Sequence, residues 1–199
     1  VTSGETERLR KLGLDFSTPH SAEAVQSVDA VIYSSAIRPT NPALSEALAQ
    51  DIATFRRAEC LAAILHTKAG VVVSGTHGKT PTSSMIAHIL RQGDLMPCHY
   101  VGAEIPVLGS NAEWDQDGKY LVAEGDESDG TLALYHPRHT IVLNVEEEHL
   151  DHYTRGIEQI REVFNKLLDQ TSGSIFYCSE CEEATRLCGV RDNSISYGW

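Results

Sequence analysis

Residues 71–93 hold the arrangement that most constrains this chain. Val71-Val72-Val73-Ser74 is an apolar β-branched run, and Gly75-Thr76-His77-Gly78-Lys79-Thr80 follows without a break. An amphipathic stretch comes next, with Met85, Ile86, Ile89 and Leu90 expected on one face and Gly93 placed to end it. The first pattern reads as a buried strand and the last as a helix. A strand entering a glycine loop that opens a helix aims backbone N–H groups and a helix N-terminus at one point, which suits phosphate oxygens. Gly75 and Gly78 let the backbone bend close to a ligand. Lys79 can reach β- and γ-phosphates, and the Thr80 hydroxyl can hold Mg²⁺. The full phosphate-loop pattern would need glycine at position 73, where this chain has Val73. An ordinary glycine turn is the alternative. Gly-Lys-Thr between strand and helix favours a nucleotide.

The bounds agree. A length of 199 residues suits one or two small domains with a real core. A formal charge of -12 argues against nucleic acid, whose backbone needs a basic face. It fits a small phosphorylated substrate, with Mg²⁺ offsetting the carboxylates. No stretch approaches the ~20 apolar residues needed to cross a bilayer, and no leader opens the chain, so a cytoplasmic protein is expected. The chain does not begin with Met and starts mid-pattern, as a trimmed sequence would. Its five cysteines (Cys60, Cys98, Cys178, Cys181, Cys188) lack the spacing of a disulfide scaffold. Cys178-Ser-Glu-Cys181 is a lone pair with no fourth metal ligand nearby, so free thiols in a reducing compartment are expected.

Strand and helix signals alternate. Strands are expected at 29–33, 71–74, 120–123, 140–145, 174–178 and 194–197. Helices are expected from Asn41-Pro42 to about Gln50, from about Ala58 to His66, through Gln92, across 157–168 and over 180–187. Asn41 reads as N-cap and Pro42 as first helical residue. Such alternation means an α/β fold with a mostly parallel sheet covered by helices. A boundary near residue 55 would close a separate small domain.

Two more segments carry chemistry, each after a strand. Strand 120–123 delivers Glu124-Gly125-Asp126-Glu127-Ser128-Asp129, and strand 140–145 delivers Glu146-Glu147-Glu148-His149-Leu150-Asp151-His152. In open parallel sheets, ligands sit beyond the carboxyl ends of the strands. Mg²⁺ takes hard oxygen ligands, commonly one or two carboxylates plus phosphates and water, so Glu124 is a candidate ligand. Solvated surface is the bland reading of either loop alone. Two such loops beside a phosphate loop favour a metal site. On chemistry alone His149 is less telling, because a lone His after a strand is more often a structural hydrogen-bonder than a ligand.

The stretches 74–80, 124–129 and 144–151 together resemble the three signatures of the Mur ligases, ATP-dependent amide-forming enzymes of peptidoglycan precursor synthesis. Order and spacing match along essentially the whole chain. The resemblance implies that residues 1–55 are the C-terminal part of a small Rossmann-like UDP-substrate-binding domain, and 56–199 the N-terminal part of the ATP-binding middle domain. His77 and Ser128 resemble the branch that joins L-alanine to UDP-N-acetylmuramate. A murein tripeptide recycling ligase, a folylpolyglutamate-type ligase and a non-catalytic nucleotide-binding module are the alternatives.

The resemblance implies a mechanism: ATP phosphorylates the lactyl carboxylate of UDP-N-acetylmuramate, and the amine of L-alanine attacks the acyl phosphate. Gly75, Thr76, His77, Gly78, Lys79 and Thr80 would hold ATP, and Thr80 and Glu124 one Mg²⁺. His149 would take a second. Lys79, Glu124 and His149 are thus the expected catalytic residues, with Asp126, Glu127 and Ser128 lining the pocket for sugar and amine. Position 81 departs from the family, with Pro81 where Thr is usual. Proline suits a first helical turn, yet it removes an N–H that would face phosphate. The family's pyrophosphate loop, its adenine contacts and its amino-acid-binding domain are not in these residues, so the 199 residues alone are expected to be inactive.

Overall fold

The computed structural model describes residues 4–128, 130–148 and 153–199. It divides into two compact units, 1–60 and 61–199.

The first unit contains helix α1 (Gly4–Lys11), a 3₁₀ turn (Ala22–Val25), strand β1 (Ala30–Tyr33), helix α2 (Pro42–Ala49) and strand β2 (Ala53–Arg56). Strands β1 and β2 pair in parallel, Ala30 with Ala53 through Tyr33 with Arg56. Helix α2 makes the crossover that a parallel pair requires. It starts as its sequence dictates: Asn41 Oδ1 accepts from the N–H groups of Ala43 (3.1 Å) and Leu44 (3.3 Å), and Pro42 needs no donor there. Strand β2 and helix α1 carry no periodic pattern and were not expected from sequence.

Helix α3 (Arg57–Leu65) carries the division between the units, which falls after Cys60. The elements that follow are β3 (Ala69–Ser74), α4 (Lys79–Gln92), β4 (Cys98–Tyr100), β5 (Ala112–Glu113), β6 (Tyr120–Gly125) and β7 (His139–Val142). Then come α5 (Ile157–Asp169), β8 (Ile175–Cys178), α6 (Glu182–Cys188) and β9 (Ser194–Tyr197). The strands form one seven-stranded sheet in the order β5-β4-β6-β3-β7-β8-β9. Among the described residues only the β4–β5 pairing in this sheet is antiparallel. From β3 the chain first fills one side, going out to β4 and the edge strand β5 and returning with β6 beside β3, and then builds outward on the other through β7, β8 and β9. The order therefore reverses at β3, where open α/β sheets bind their ligands.

Both faces are apolar, as buried parallel strands require. Val72, Leu121, Ala123, Val142 and Ile175 pack with Leu65 of α3, Phe164 and Leu167 of α5 and Leu187 of α6. Val71 and Val122, one residue out of phase, pack on the opposite face with Ile86, Ala87 and Leu90 of α4.

Two expectations need correction. The inward stripe of α4 is Ser83, Ile86, Ala87 and Leu90, while Met85 and Ile89 are 57% and 66% exposed. Small residues let the helix approach the sheet closely, which outweighs the larger apolar side chains in setting its rotation. The strand expected over 140–145 ends at Val142. Its neighbour β3 ends at Ser74, so Leu143 N–H takes Ser74 O at 2.9 Å as a last rung and the following residues leave the sheet. The short strands β4 and β5 escaped sequence reading because three and two residues carry no period.

Candidate active site

Three loops leave the carboxyl ends of adjacent strands β6, β3 and β7. The central one turns sharply at Gly75, whose φ of +146° disfavours any side chain. A Cβ there would also sit 2.9 Å from Asn144 O. Gly78, at φ +82°, then directs the chain into α4, leaving that helix's first N–H groups facing the loop.

The loop is fastened to the segment after β7 by Asn144. Its Oδ1 accepts from His77 N–H at 2.7 Å, and its Nδ2 donates to His77 O at 3.1 Å. Thr76 N–H donates to Asn144 O at 3.2 Å, and Glu146 N–H donates to Thr76 Oγ1 at 2.9 Å. Asn144 was read from sequence only as part of a motif; a side-chain amide after a strand gives no local signal that it will brace a distant loop.

Glu124, the penultimate residue of β6, meets the start of α4. Its Oε2 accepts from Thr80 Oγ1 at 3.1 Å, and its Oε1 accepts from Ser83 Oγ at 3.1 Å and from Gly102 N–H at 2.6 Å. Thr80 and Glu124, 44 positions apart in the chain, are therefore brought together. Ser83 and Gly102 were missed from sequence. A Cβ on Gly102 would lie 2.7 Å from Glu124 Oε2 and 2.9 Å from Thr80 Oγ1, so its absence opens a small cradle over both oxygens.

Lys79 Nζ donates to Gly75 O at 2.6 Å and to Glu127 Oε2 at 2.9 Å, with longer contacts to Glu127 Oε1 (3.2 Å) and Thr76 O (3.3 Å). Glu127 is only 2% exposed. Its carboxylate turns inward to the ammonium, where sequence reading expected it to face a substrate pocket. Asp126 is exposed and Ser128 half-buried, and Asp126 Oδ1 accepts from Ser128 N–H at 3.0 Å.

From the central loop, His77 Nε2 lies 3.7 Å from Glu146 Oε2 and 3.5 Å from Glu148 Oε1 of the third. These are the three groups that gather with metal-ligand spacing among the described residues, all of them at least partly open to solvent. Glu147 points elsewhere, accepting from Ile157 N–H at 3.2 Å at the start of α5. The expectations for Asp129, His149, Asp151 and His152 lie outside the described residues. Burial pushes the Cys188 thiol up to about 12, and Cys178 and Cys181 are partly buried free thiols. No helix among the described residues is long and apolar enough to cross a membrane.

The sequence profile of the Mur ligase middle domain matches residues 73–188, and that of the Mur ligase family catalytic domain matches 2–69. The chain belongs to the Mur ligase family. Curated relatives in this family include the UDP-N-acetylmuramate–L-alanine ligase of Trichlorobacter lovleyi, 41% identical over 98% of this chain and 43% of that protein. The protein of the same name from Sorangium cellulosum is 46% identical over 81% of this chain and 34% of its own length. This Mur ligase chain thus spans less than half the length of the curated relatives it matches. Among solved structures, the UDP-N-acetylmuramate–alanine ligase MurC of Thermotoga maritima superposes with a TM-score of 0.87 at 28% identity, covering 100% of this chain and 46% of that one. A Neisseria UDP-N-acetylmuramate:L-alanyl-γ-D-glutamyl-meso-diaminopimelate ligase shares the fold, with a TM-score of 0.86 at 20% identity, over 98% of this chain and 66% of that one.

Proposed function

We propose that this chain carries the phosphate- and metal-binding part of an ATP-dependent ligase that joins L-alanine to the lactyl carboxylate of UDP-N-acetylmuramate. The observation that carries the reading is the meeting of Thr80 and Glu124, next to Lys79 on the glycine loop, at the point where strand order reverses. The names of the relatives supply the substrates. ATP and Mg²⁺ are the cofactors, the cytoplasm is the location, and neither nucleic acid nor a membrane is a partner.

The residues fit a magnesium ion. Thr80 Oγ1 and Glu124 Oε2 are 3.1 Å apart, close to the roughly 3.0 Å edge of an octahedron with bonds of about 2.1 Å. The open position at Gly102 leaves room above them. When bound, the ion would neutralise phosphate charge as the carboxylate and polyphosphate are brought together. Gly75, Thr76, His77 and Gly78 offer backbone to the phosphates, and Lys79 offers an ammonium. Lys79, Glu124 and His149 are the proposed catalytic residues, with His149 at a second metal. Asp126 and Ser128 border the substrate side. Phosphoryl transfer of this kind is chiefly positioning and charge neutralisation, which is what these groups supply. Residues 1–55 are proposed as part of the UDP-substrate domain and 56–199 as part of the ATP-binding domain.

The test uses a full-length ligase carrying this chain. Phosphate release should require ATP, Mg²⁺, UDP-N-acetylmuramate and L-alanine together, and the 199 residues alone should release none. Equal turnover with a murein tripeptide in place of L-alanine would move the protein to the recycling branch.

A further inference from the structure

We propose that Asn144 is a positioning residue for the nucleotide: it keeps the amides of Thr76 and His77 with or without ligand, so that phosphate is met by those of Gly78, Lys79 and Thr80. This rests on the phosphate-loop reading above and narrows it to particular N–H groups. A backbone amide has one hydrogen to give. That of Thr76 goes to Asn144 O at 3.2 Å, and that of His77 to Asn144 Oδ1 at 2.7 Å. Phosphate gains either one only if Asn144 lets go.

Two features hold Asn144 in place. Its side chain grips His77 twice, since Nδ2 also donates to His77 O at 3.1 Å. An ionised phosphate oxygen accepts but does not donate, so it could replace Oδ1 and not Nδ2. Pro81, four residues on in the first turn of α4, has no N–H with which to take over His77 O. Asn144 is also anchored through both neighbours. Leu143 N–H donates to Ser74 O at 2.9 Å, and Val145 N–H donates at 3.4 Å to the thiol of Cys181, the N-cap of α6. Gly75 admits this backbone, because a Cβ there would lie 2.9 Å from Asn144 O and 3.0 Å from Asn144 N. The amides from Gly78, the N-cap of α4, through Thr80 precede any intrahelical acceptor and lie at the positive end of the helix. The loop is therefore divided. Thr76 and His77 bind the fold, and the amides from Gly78 onward bind the ligand.

The first test needs no variant. In a full-length ligase carrying this chain, residue-resolved hydrogen exchange should show the Thr76 and His77 amides protected without nucleotide and no further protected by ATP with Mg²⁺. The amides of Gly78, Lys79 and Thr80 should slow by roughly tenfold when ATP binds, the scale of one hydrogen bond. Thr76 and His77 amides that exchange freely until ATP is added overturn the proposal. No change at any of the five defeats the phosphate-loop reading itself. The second test is kinetic. Asn144→Ala releases the loop, so KM for ATP should rise roughly 10- to 100-fold, the scale of the two hydrogen bonds removed, while kcat and KM for L-alanine change much less. A purely structural loss would not single out ATP. An unchanged KM for ATP overturns the proposal, and if the variant does not fold, exchange in the parent decides. Lys79→Ala separates the layers: lost ATP binding there beside a parent-like Asn144→Ala defeats only the positioning role.

Discussion

Gly102 matters for the space it leaves. Its N–H holds Glu124 while its missing side chain keeps clear the oxygens of Thr80 and Glu124. Gly102→Ala should therefore weaken Mg²⁺-dependent ATP binding by roughly tenfold or more, since one hydrogen bond to a charged group is worth about 1.5–3 kcal/mol. ATP binding without Mg²⁺ should change little. Equal loss with and without the metal, measured by calorimetry, would mean that the substitution disturbs the loop rather than the cation. Pro81 is the opposite case, a residue that removes something. It stands in the first turn of α4, and the carbonyl it would otherwise have bonded, His77 O, already accepts from Asn144 Nδ2. The helix thus loses nothing by having proline there, and only a phosphate would miss the N–H. Pro81→Thr should tighten ATP binding by up to roughly tenfold, with no change in the melting temperature of the nucleotide-free protein. Unchanged affinity with a large loss of stability would show that the proline serves as a helix starter instead.

Elements carrying a long period or a run of β-branched residues were legible in the sequence; those defined by a neighbour were not. The run 71–74 and the stripe Ile157, Ile160, Phe164, Leu167 and Leu168 name their own structure, and β3 and α5 lie there. The end of β7 depends on where β3 stops, and the rotation of α4 on how closely Ser83 and Ala87 let it approach. No local pattern contains either fact. The same division holds in the site. Lys79, Thr80 and Glu124 announce their chemistry by type and spacing, whereas Asn144, Ser83 and Gly102 acquire theirs only when distant loops meet. Helices α5 and α6 show a pairing that sequence could not reveal: Arg161 Nε and Nη2 each lie 2.7 Å from a carboxylate oxygen of Glu183. The guanidinium holds the Glu183 carboxyl below its ordinary value, against an opposing effect of burial. A carboxyl lowered in the folded state stabilises it above the unfolded value, near pH 4.3, and loses that contribution as pH falls through the folded value. Glu183→Gln should therefore lower the melting temperature at neutral pH, and the gap to the parent should close in acid below that range. A gap that persists at low pH would show that packing, not the ion pair, joins these helices.

Across the whole molecule, charge and topology point to one place. A chain of net charge -12 gathers Glu124 and Glu127 beside the glycine loop proposed to hold phosphate, with Glu146 and Glu148 on the neighbouring loop. That arrangement repels a bare polyphosphate and favours one accompanied by cations. The sheet makes it possible, because reversal of strand order at β3 sets three loops side by side from segments far apart in sequence. The Mur ligase resemblance was readable from those three loops before any fold was known, since their residue types, order and spacing are set by chemistry. The meeting of the loops was not readable, because it is a property of the sheet. Lys79 and its loop are the proposed seat of the nucleotide. The direct measurement is calorimetric titration of ATP with Mg²⁺ into a full-length ligase carrying this chain, beside its Lys79→Ala variant of unchanged melting temperature. The account predicts saturable one-to-one binding in the parent and a loss of at least about tenfold in the variant, the scale of one charge-assisted hydrogen bond. Equal affinity in the two proteins would contradict it.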